Sequence, residues 1–113
     1  TTVSGDIQVT VTTFLVMGVD DGIVNGFGLL QNRPNPFSDA TTITYLVPQS
    51  LSVRLSLTDV YGREIAVLVD GNVDAGQHTF KLNTADYSLN SGVYFYTLEA
   101  NGYKQSKRMI IVR

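Results

Sequence analysis

Hydrophobic and polar residues alternate with a period of two over most of the chain. Leu51, Val53, Leu55 and Leu57 stand between Ser52, Arg54, Ser56 and Thr58. Successive strand side chains point to opposite faces, so this run is a strand with one apolar side. Ile43, Tyr45 and Val47 repeat the pattern just before it, and Ile65, Val67 and Val69 just after it. His78, Phe80 and Leu82 follow, then Tyr94, Tyr96 and Leu98. The last run extends from Tyr103 to Val112 and is apolar on both faces over residues 109–112. Between the runs stand turn signals: Pro48, Tyr61-Gly62, Asp70-Gly71-Asn72, Ala75-Gly76 and Asn101-Gly102. Asn-Gly is the strongest of them, because a type I′ hairpin turn needs positive φ at both positions. No stretch carries a helical period. The runs recur about every ten residues, with residues 7–13 as a candidate seventh strand. They predict an all-β fold, an immunoglobulin-like antiparallel β-sandwich of about seven strands. Tyr45, Leu55, Val67, Phe80, Tyr94, Tyr96 and Leu98 are expected inside.

The first third is less regular. Residues 20–28, DDGIVNGFG, hold three glycines and two adjacent aspartates and read as a flexible linker. The chain therefore divides into residues 1–19, a linker at 20–28, and a main domain at 29–113. The strand in residues 1–19 belongs either to the sandwich or to the tail of a preceding domain.

Residues 31–37, QNRPNPF, hold two of the three prolines. Pro34 and Pro36 cannot donate to a ladder and bias the residue before each toward extended backbone. The segment reads as a stiff, extended spacer between linker and sandwich. Phe37 is available as an apolar plug, and Asn32 and Asn35 can bond nearby backbone groups. The plainer reading is an ordinary bend at one end of a sandwich.

A chain of 113 residues is long enough for one domain with its own core. The formal charge of −2 gives no general drive toward nucleic acid or anionic lipid. Its distribution matters more. Residues 1–32 carry Asp6, Asp20 and Asp21 and no base, while Lys104, Lys107, Arg108 and Arg113 make up half of the eight bases. There is no cysteine, which removes disulfides, thiolate nucleophiles and cysteine-based zinc sites. The apolar run at residues 14–19 is too short to span a bilayer, and no basic segment precedes it as in a signal peptide. An export address would lie elsewhere in a longer protein.

The residues offer little chemistry. His78 is the only histidine, and no serine sits in a G-x-S-x-G context, so a serine–histidine triad has no starting point. Asp70, Asn72 and Asp74 have the spacing that opens an EF-hand loop. Ala75 stands where that loop needs glycine and Lys81 where it needs a bidentate glutamate. A weak calcium contact is the remaining possibility there, and a polar turn the plainer one. Gly26 and Gly28 lack the third glycine and the helix of a phosphate loop. Tyr94, Phe95, Tyr96 and Tyr103 form an aromatic cluster whose simplest use is packing. We therefore expect no enzyme, cofactor, metal, nucleic acid or small-molecule substrate.

The motifs themselves carry a resemblance. Residues 31–37, then Thr42-Ile43-Thr44-Tyr45 and Val47-Pro48, resemble the opening of a type IX secretion system C-terminal sorting domain (type A, Por secretion system). Asp59-Val60-Tyr61-Gly62-Arg63 resembles the family's D-x-x-G-R segment, and Ala75-Gly76-Gln77-His78 its A-G-x-H segment. Ser91-Gly92-Val93-Tyr94 resembles its S-G-V-Y motif, and residues 106–113 its basic–apolar end. One departure is Tyr87-Ser88-Leu89, where the family often has an aromatic-Asp-Gly pair.

The resemblance implies an address label for an exported cargo upstream in the same chain, carried through the periplasm to the cell surface or the medium. Its implied partners are the outer-membrane translocon and a sortase-like peptidase, which in many members removes the domain. Asp20, Asp21, Gly22, Gly26 and Gly28 then mark the cleavage linker. Asn32, Pro34, Asn35, Pro36, Phe37, Gly62, Arg63, Gly76, His78, Gly92 and Tyr94 are the motif positions expected to shape the fold. The translocon-recognition candidates are Lys104, Lys107, Arg108, Met109, Ile110, Ile111, Val112 and Arg113. This strand gathers bases, is apolar beyond the need of a half-solvated strand, and as an edge would offer unpaired backbone for strand addition. The alternatives are a carbohydrate-binding or adhesion module, which would show a row of exposed aromatics, and a structural spacer, which need not end its polypeptide.

Overall fold

The structure, a computed structural model, describes residues 25–112. Seven strands follow one another: β1 (Gly28–Leu29), β2 (Ala40–Val47), β3 (Leu51–Thr58), β4 (Glu64–Val73), β5 (Gly76–Asn83), β6 (Gly92–Ala100) and β7 (Tyr103–Ile111). One turn of 3-10 helix, Thr84–Tyr87, joins β5 to β6. The strands form two antiparallel sheets, ordered β1-β2-β5 and β4-β3-β6-β7. An immunoglobulin constant-type sandwich sets its first, second, fifth and fourth strands against its third, sixth and seventh. Here the fourth strand has crossed over to pair with the third. The expected all-β sandwich is what the chain adopts.

Alternation accounts for the core of β2 and β3. Ile43, Tyr45 and Val47 are buried on one strand and Val53, Leu55 and Leu57 on the other. They pack with Leu82, Tyr96, Leu98, Met109 and Ile111, and each such aliphatic side chain contributes about 1.5–3 kcal/mol by leaving water. Phe80 and Tyr94 are half-buried against the same cluster. Asn101 and Gly102, at φ of 45° and 84°, close the β6–β7 hairpin as the sequence predicts.

Val67 is a correction: it is 38% exposed, as is Ile65. The cause lies in the pairing of β4 with β3. Leu55 stands opposite Val69 and Ser56 opposite Val67, which leaves Leu68 as an extra residue. Leu57 stands opposite Ala66 and Thr58 opposite Glu64, which leaves Ile65 over. Each one-residue slip turns the following side chains to the other face. Val73, Val69 and Leu68 consequently reach the core, and Val67 does not. Asp70-Gly71-Asn72 is a second correction, since these residues lie within β4 and the link to β5 is at Asp74 and Ala75.

The strand that brings the count to seven is β1, at the far end of the expected linker; residues 7–13, the expected candidate, lie outside the described residues. Gly28 pairs with Leu46 and Leu29 with Tyr45. Phe27 is buried with its ring stacked 4.8 Å from Tyr103. Gly26 is held by the fold, because its φ is 85° and a Cβ there would sit 2.7 Å from the Cβ of Pro48. Gly26 and Gly28 are thus positions of the sandwich, while Asp20, Asp21 and Gly22 lie outside the described residues.

The stiff spacer is also corrected. β1 precedes residues 31–37, so this segment lies inside the sandwich. It bends through Pro34, Asn35 and Pro36 between two single bridges, Arg33 with Thr42 and Phe37 with Ile111. The peptide bonds before Pro34 and Pro36 are both cis. Phe37 does serve as a plug, with 3% of its surface exposed.

Candidate functional site

β7 pairs with β6 on one side only and is an edge of its sheet. The two-residue hairpin makes Ala100 and Tyr103 a hydrogen-bonded pair. Tyr103, Gln105, Lys107, Met109 and Ile111 therefore direct their backbone toward β6, and the residues between them direct it outward. Residues 31–37 lie along that outward edge as a strap. Gln31 Nε2 donates to the Arg108 carbonyl at 2.6 Å. The Ile110 N–H donates to Asn35 Oδ1 at 2.9 Å, and the Phe37 N–H to the Ile110 carbonyl at 3.0 Å. The Val112 N–H donates to the Phe37 carbonyl at 2.8 Å. The four bonds fall on Arg108, Ile110 and Val112, all members of the outward set. The expected open edge over residues 109–112 is thus closed by the protein's own strap. Among the described residues, nothing bonds the outward backbone groups of Lys104 and Ser106.

A buried polar network holds the strap in place. Asn32 is 1% exposed. Its Nδ2 donates to the Pro34 carbonyl at 3.2 Å and to Thr41 Oγ1 at 3.0 Å, and its Oδ1 accepts from Gln31 Nε2 at 2.7 Å. Thr41 Oγ1 donates to the same Pro34 carbonyl at 2.8 Å. From the opposite sheet, the Tyr96 hydroxyl donates to the Leu30 carbonyl at 2.7 Å and accepts from the Asn32 N–H at 2.8 Å. A buried amide is retained where its donors and acceptors are all met, as here.

The sheet register gathers most of the motifs at one pole. Glu64 lies opposite Thr58, Thr58 opposite Phe95, and Phe95 opposite Arg108. The turn at residues 59–63, the start of β6, the end of β7 and the strap therefore neighbour one another. In that turn Asp59 Oδ1 accepts from the N–H groups of Tyr61 and Arg63 at 2.9 and 3.0 Å, and Oδ2 accepts from Arg63 Nε at 2.9 Å. Desolvation pushes the Asp59 carboxyl pKa up, but these donors more than offset it, and the group is held below its usual range. Gly62 takes φ 82° within the turn. At the start of β6, after Gly92, Tyr94 donates its hydroxyl to the Asn90 carbonyl at 2.9 Å. That is the tyrosine corner of immunoglobulin-like sandwiches. Gly76 lies toward the other pole, opposite Val47, and the ring of His78 stacks 5.4 Å from Tyr45. His78 Nε2 meets the Asp74 carbonyl at 2.6 Å.

The recognition candidates divide by face. Met109 and Ile111 are core residues, at 0% and 1% exposure, whereas Val112 is 48% exposed and Ile110 half-buried. Lys104 and Arg108 share the outer face, and Lys107 has the opposite parity. Lys104 is drawn to Glu99 at 3.6 Å. The expected positive field is thus split between two faces; Arg113 lies outside the described residues. Asp70 and Asn72 lie on a strand, and Asn72 Oδ1 accepts from Ser52 Oγ at 2.9 Å. No metal-binding cluster of His, Asp and Glu occurs among the described residues. Local pattern missed Gln31, Thr41 and the Tyr96 hydroxyl, whose partners lie up to 77 positions away.

No curated protein matches the chain. The family model for the secretion system C-terminal sorting domain matches residues 33–112, from within the strap to the end of β7. The chain belongs to that family and is a C-terminal sorting signal for type IX secretion.

Proposed function

We propose that the type IX outer-membrane translocon reads the pole built from the strap, the turn at residues 59–63 and the end of β7. Family membership gives the coarser statements: the domain works with the type IX system on an upstream cargo, bound for the cell surface or the outside. The finer ones are part of the proposal. The cargo passes through the periplasm, and a sortase-like peptidase then separates it from the domain. One observation carries the reading: motif segments far apart in sequence meet at this pole, joined by the four bonds between strap and β7. Val60, Tyr61, Ile65, Val67 and Val112, the large exposed apolar residues among those described, lie on this pole or on the strand beside it. Exposed apolar groups on a rigid frame suit protein recognition.

Deleting residues 109–113 would not test this, because it removes Met109 and Ile111 from the core. Surface changes do. Arg108→Glu combined with Val112→Asp should cut secretion of a fused cargo by about tenfold or more, the effect of losing one interface anchor. The thermal midpoint of the domain should stay within about 2 °C of the parent, as for ordinary surface substitutions. Undiminished secretion, or a loss that tracks unfolding, would remove the proposal. The cut itself is proposed between Asp20 and Asn25, since from Phe27 onward the backbone is packed or paired. Mass spectrometry of mature cargo should find its end there, and an end beyond Phe27 would contradict it.

A further inference from the structure

We infer that the acidic linker pair, Asp20 and Asp21, docks in a basic groove beside the three-stranded sheet. The groove has a volume of about 520 Å³ and is lined by Leu30 together with Gln31, Arg33, Thr42, Thr44, Gln77 and Lys107. It holds two bases and no acid. Three of the other described bases are matched, whereas Arg108, on the outer face of β7, is not. Arg54 reaches Glu64 at 2.7 Å and Glu99 at 3.9 Å, Lys104 reaches Glu99, and Arg63 reaches Asp59 at 2.9 Å. Among the described residues, Arg33 and Lys107 form no ion pair. Lys81, opposite Thr42 on the outer face of β5, adds another unmatched base on that side. The cross-strand pairs on that face, Thr42 with Lys81, Thr44 with Thr79 and Leu46 with Gln77, include no acid. Two cations among amides and hydroxyls make a site for carboxylates, where charge-assisted hydrogen bonds are the strong ones.

The occupant follows from what precedes Asn25. Residues 1–24 contain Asp6, Asp20 and Asp21 and neither Lys nor Arg, so their charge complements the groove. Their point of entry is also suitable. Asn25 and Phe27 line a hollow with Tyr103 and Lys104, at the start of β7. Lys107 lies four residues further along that strand, about 13 Å away at strand rise. Asp21 and Asp20 precede Asn25 by four and five residues, which span at most about 13–18 Å when extended. The groove is open to solvent, so salt should weaken the contact.

Two measurements on the full 113-residue chain test this. Carbodiimide coupling at low salt forms an amide only between a carboxylate and an amine already in contact. Peptide mapping should find Lys107 joined to Asp20 or Asp21 as the dominant lysine product, lost in about 0.5 M salt. In Asp20→Asn/Asp21→Asn, which should keep the parent thermal midpoint, that product should vanish. The amide resonances of Gln31, Arg33, Thr42, Thr44 and Lys107 should shift, while those of the distant turn at Asn101 stay. Coupling spread evenly over Lys81, Lys104 and Lys107, or groove resonances unmoved by the double substitution, would overturn the inference. So would equal affinity of parent and variant for added polyglutamate, which would assign the groove to an external acidic partner.

Discussion

Phe37→Ala should lose about 3–5 kcal/mol of unfolding free energy, the range for truncating a buried phenylalanine. In a domain of this size that is roughly a 12–25 °C drop in thermal midpoint. The ring is 3% exposed and lies in the core cluster, so its removal leaves a cavity that the surrounding strands cannot fill. The loss extends beyond apolar area. The Phe37 backbone makes two bonds to the end of β7, and the ring anchors the strap that delivers them. Phe80→Ala is the comparison, because Phe80 is only half-buried and sits on β5, away from the strap. Urea denaturation of both variants should rank Phe37 clearly above Phe80. A Phe37 loss below about 1.5 kcal/mol, the scale of a tolerated core swap, would mean that the plug is not seated as described.

Tyr96→Phe removes one oxygen and should nevertheless cost about 2–4 kcal/mol, because a buried and a part-buried backbone group lose their partner. The hydroxyl is the donor to the Leu30 carbonyl and the acceptor for the Asn32 N–H. Ring volume is unchanged, so the cost measures the bridge between the sheets and not a cavity. The variant also has a pH signature. Burial raises the Tyr96 phenol pKa well above the ordinary value, with a smaller opposing pull from the Asn32 N–H. A pKa raised in the folded state contributes stability that is fully present below the unfolded value of about 10 and is lost as pH rises toward the folded one. The parent should therefore lose stability above about pH 10, and Tyr96→Phe should lose less over the same interval. Tyr45 and Tyr103, also raised by burial, leave a residual slope in both proteins. Equal alkaline slopes together with a loss under about 1 kcal/mol would contradict the bridge.

The legible parts of this fold are those that a period of two can encode. β2 and β3 were open to reading because every inward residue from Ile43 to Val47 and from Val53 to Leu57 is large and apolar. The Asn101-Gly102 turn was legible because both positions need positive φ. β4 was not, since a bulge changes the inward parity without changing composition, and Val67 looks the same on either face. β1 was hidden for a different reason: a strand of two residues, one of them glycine, shows no period, and only the pairing of Gly28 with Leu46 reveals it. The motifs disclosed the family, but not that the strap and the last strand are one unit. That depends on contacts between residues 31–37 and 108–112, which local pattern cannot register. The same contacts turn the apparent open edge of β7 into a closed one and shift attention from the strand alone to the pole.

Native-state hydrogen exchange of the β7 amides tests the closed edge most directly. The account predicts that Ile110 and Val112, outward-facing on an edge strand, exchange slowly, through opening of the strap, because Asn35 Oδ1 and the Phe37 carbonyl hold their N–H groups. Lys104 and Ser106, outward-facing on the same strand, should exchange near the rate of an unprotected amide. Asn35→Ala should speed Ile110 selectively. If all four amides exchange alike and fast, the strap does not close this edge, and the pole is not a single surface.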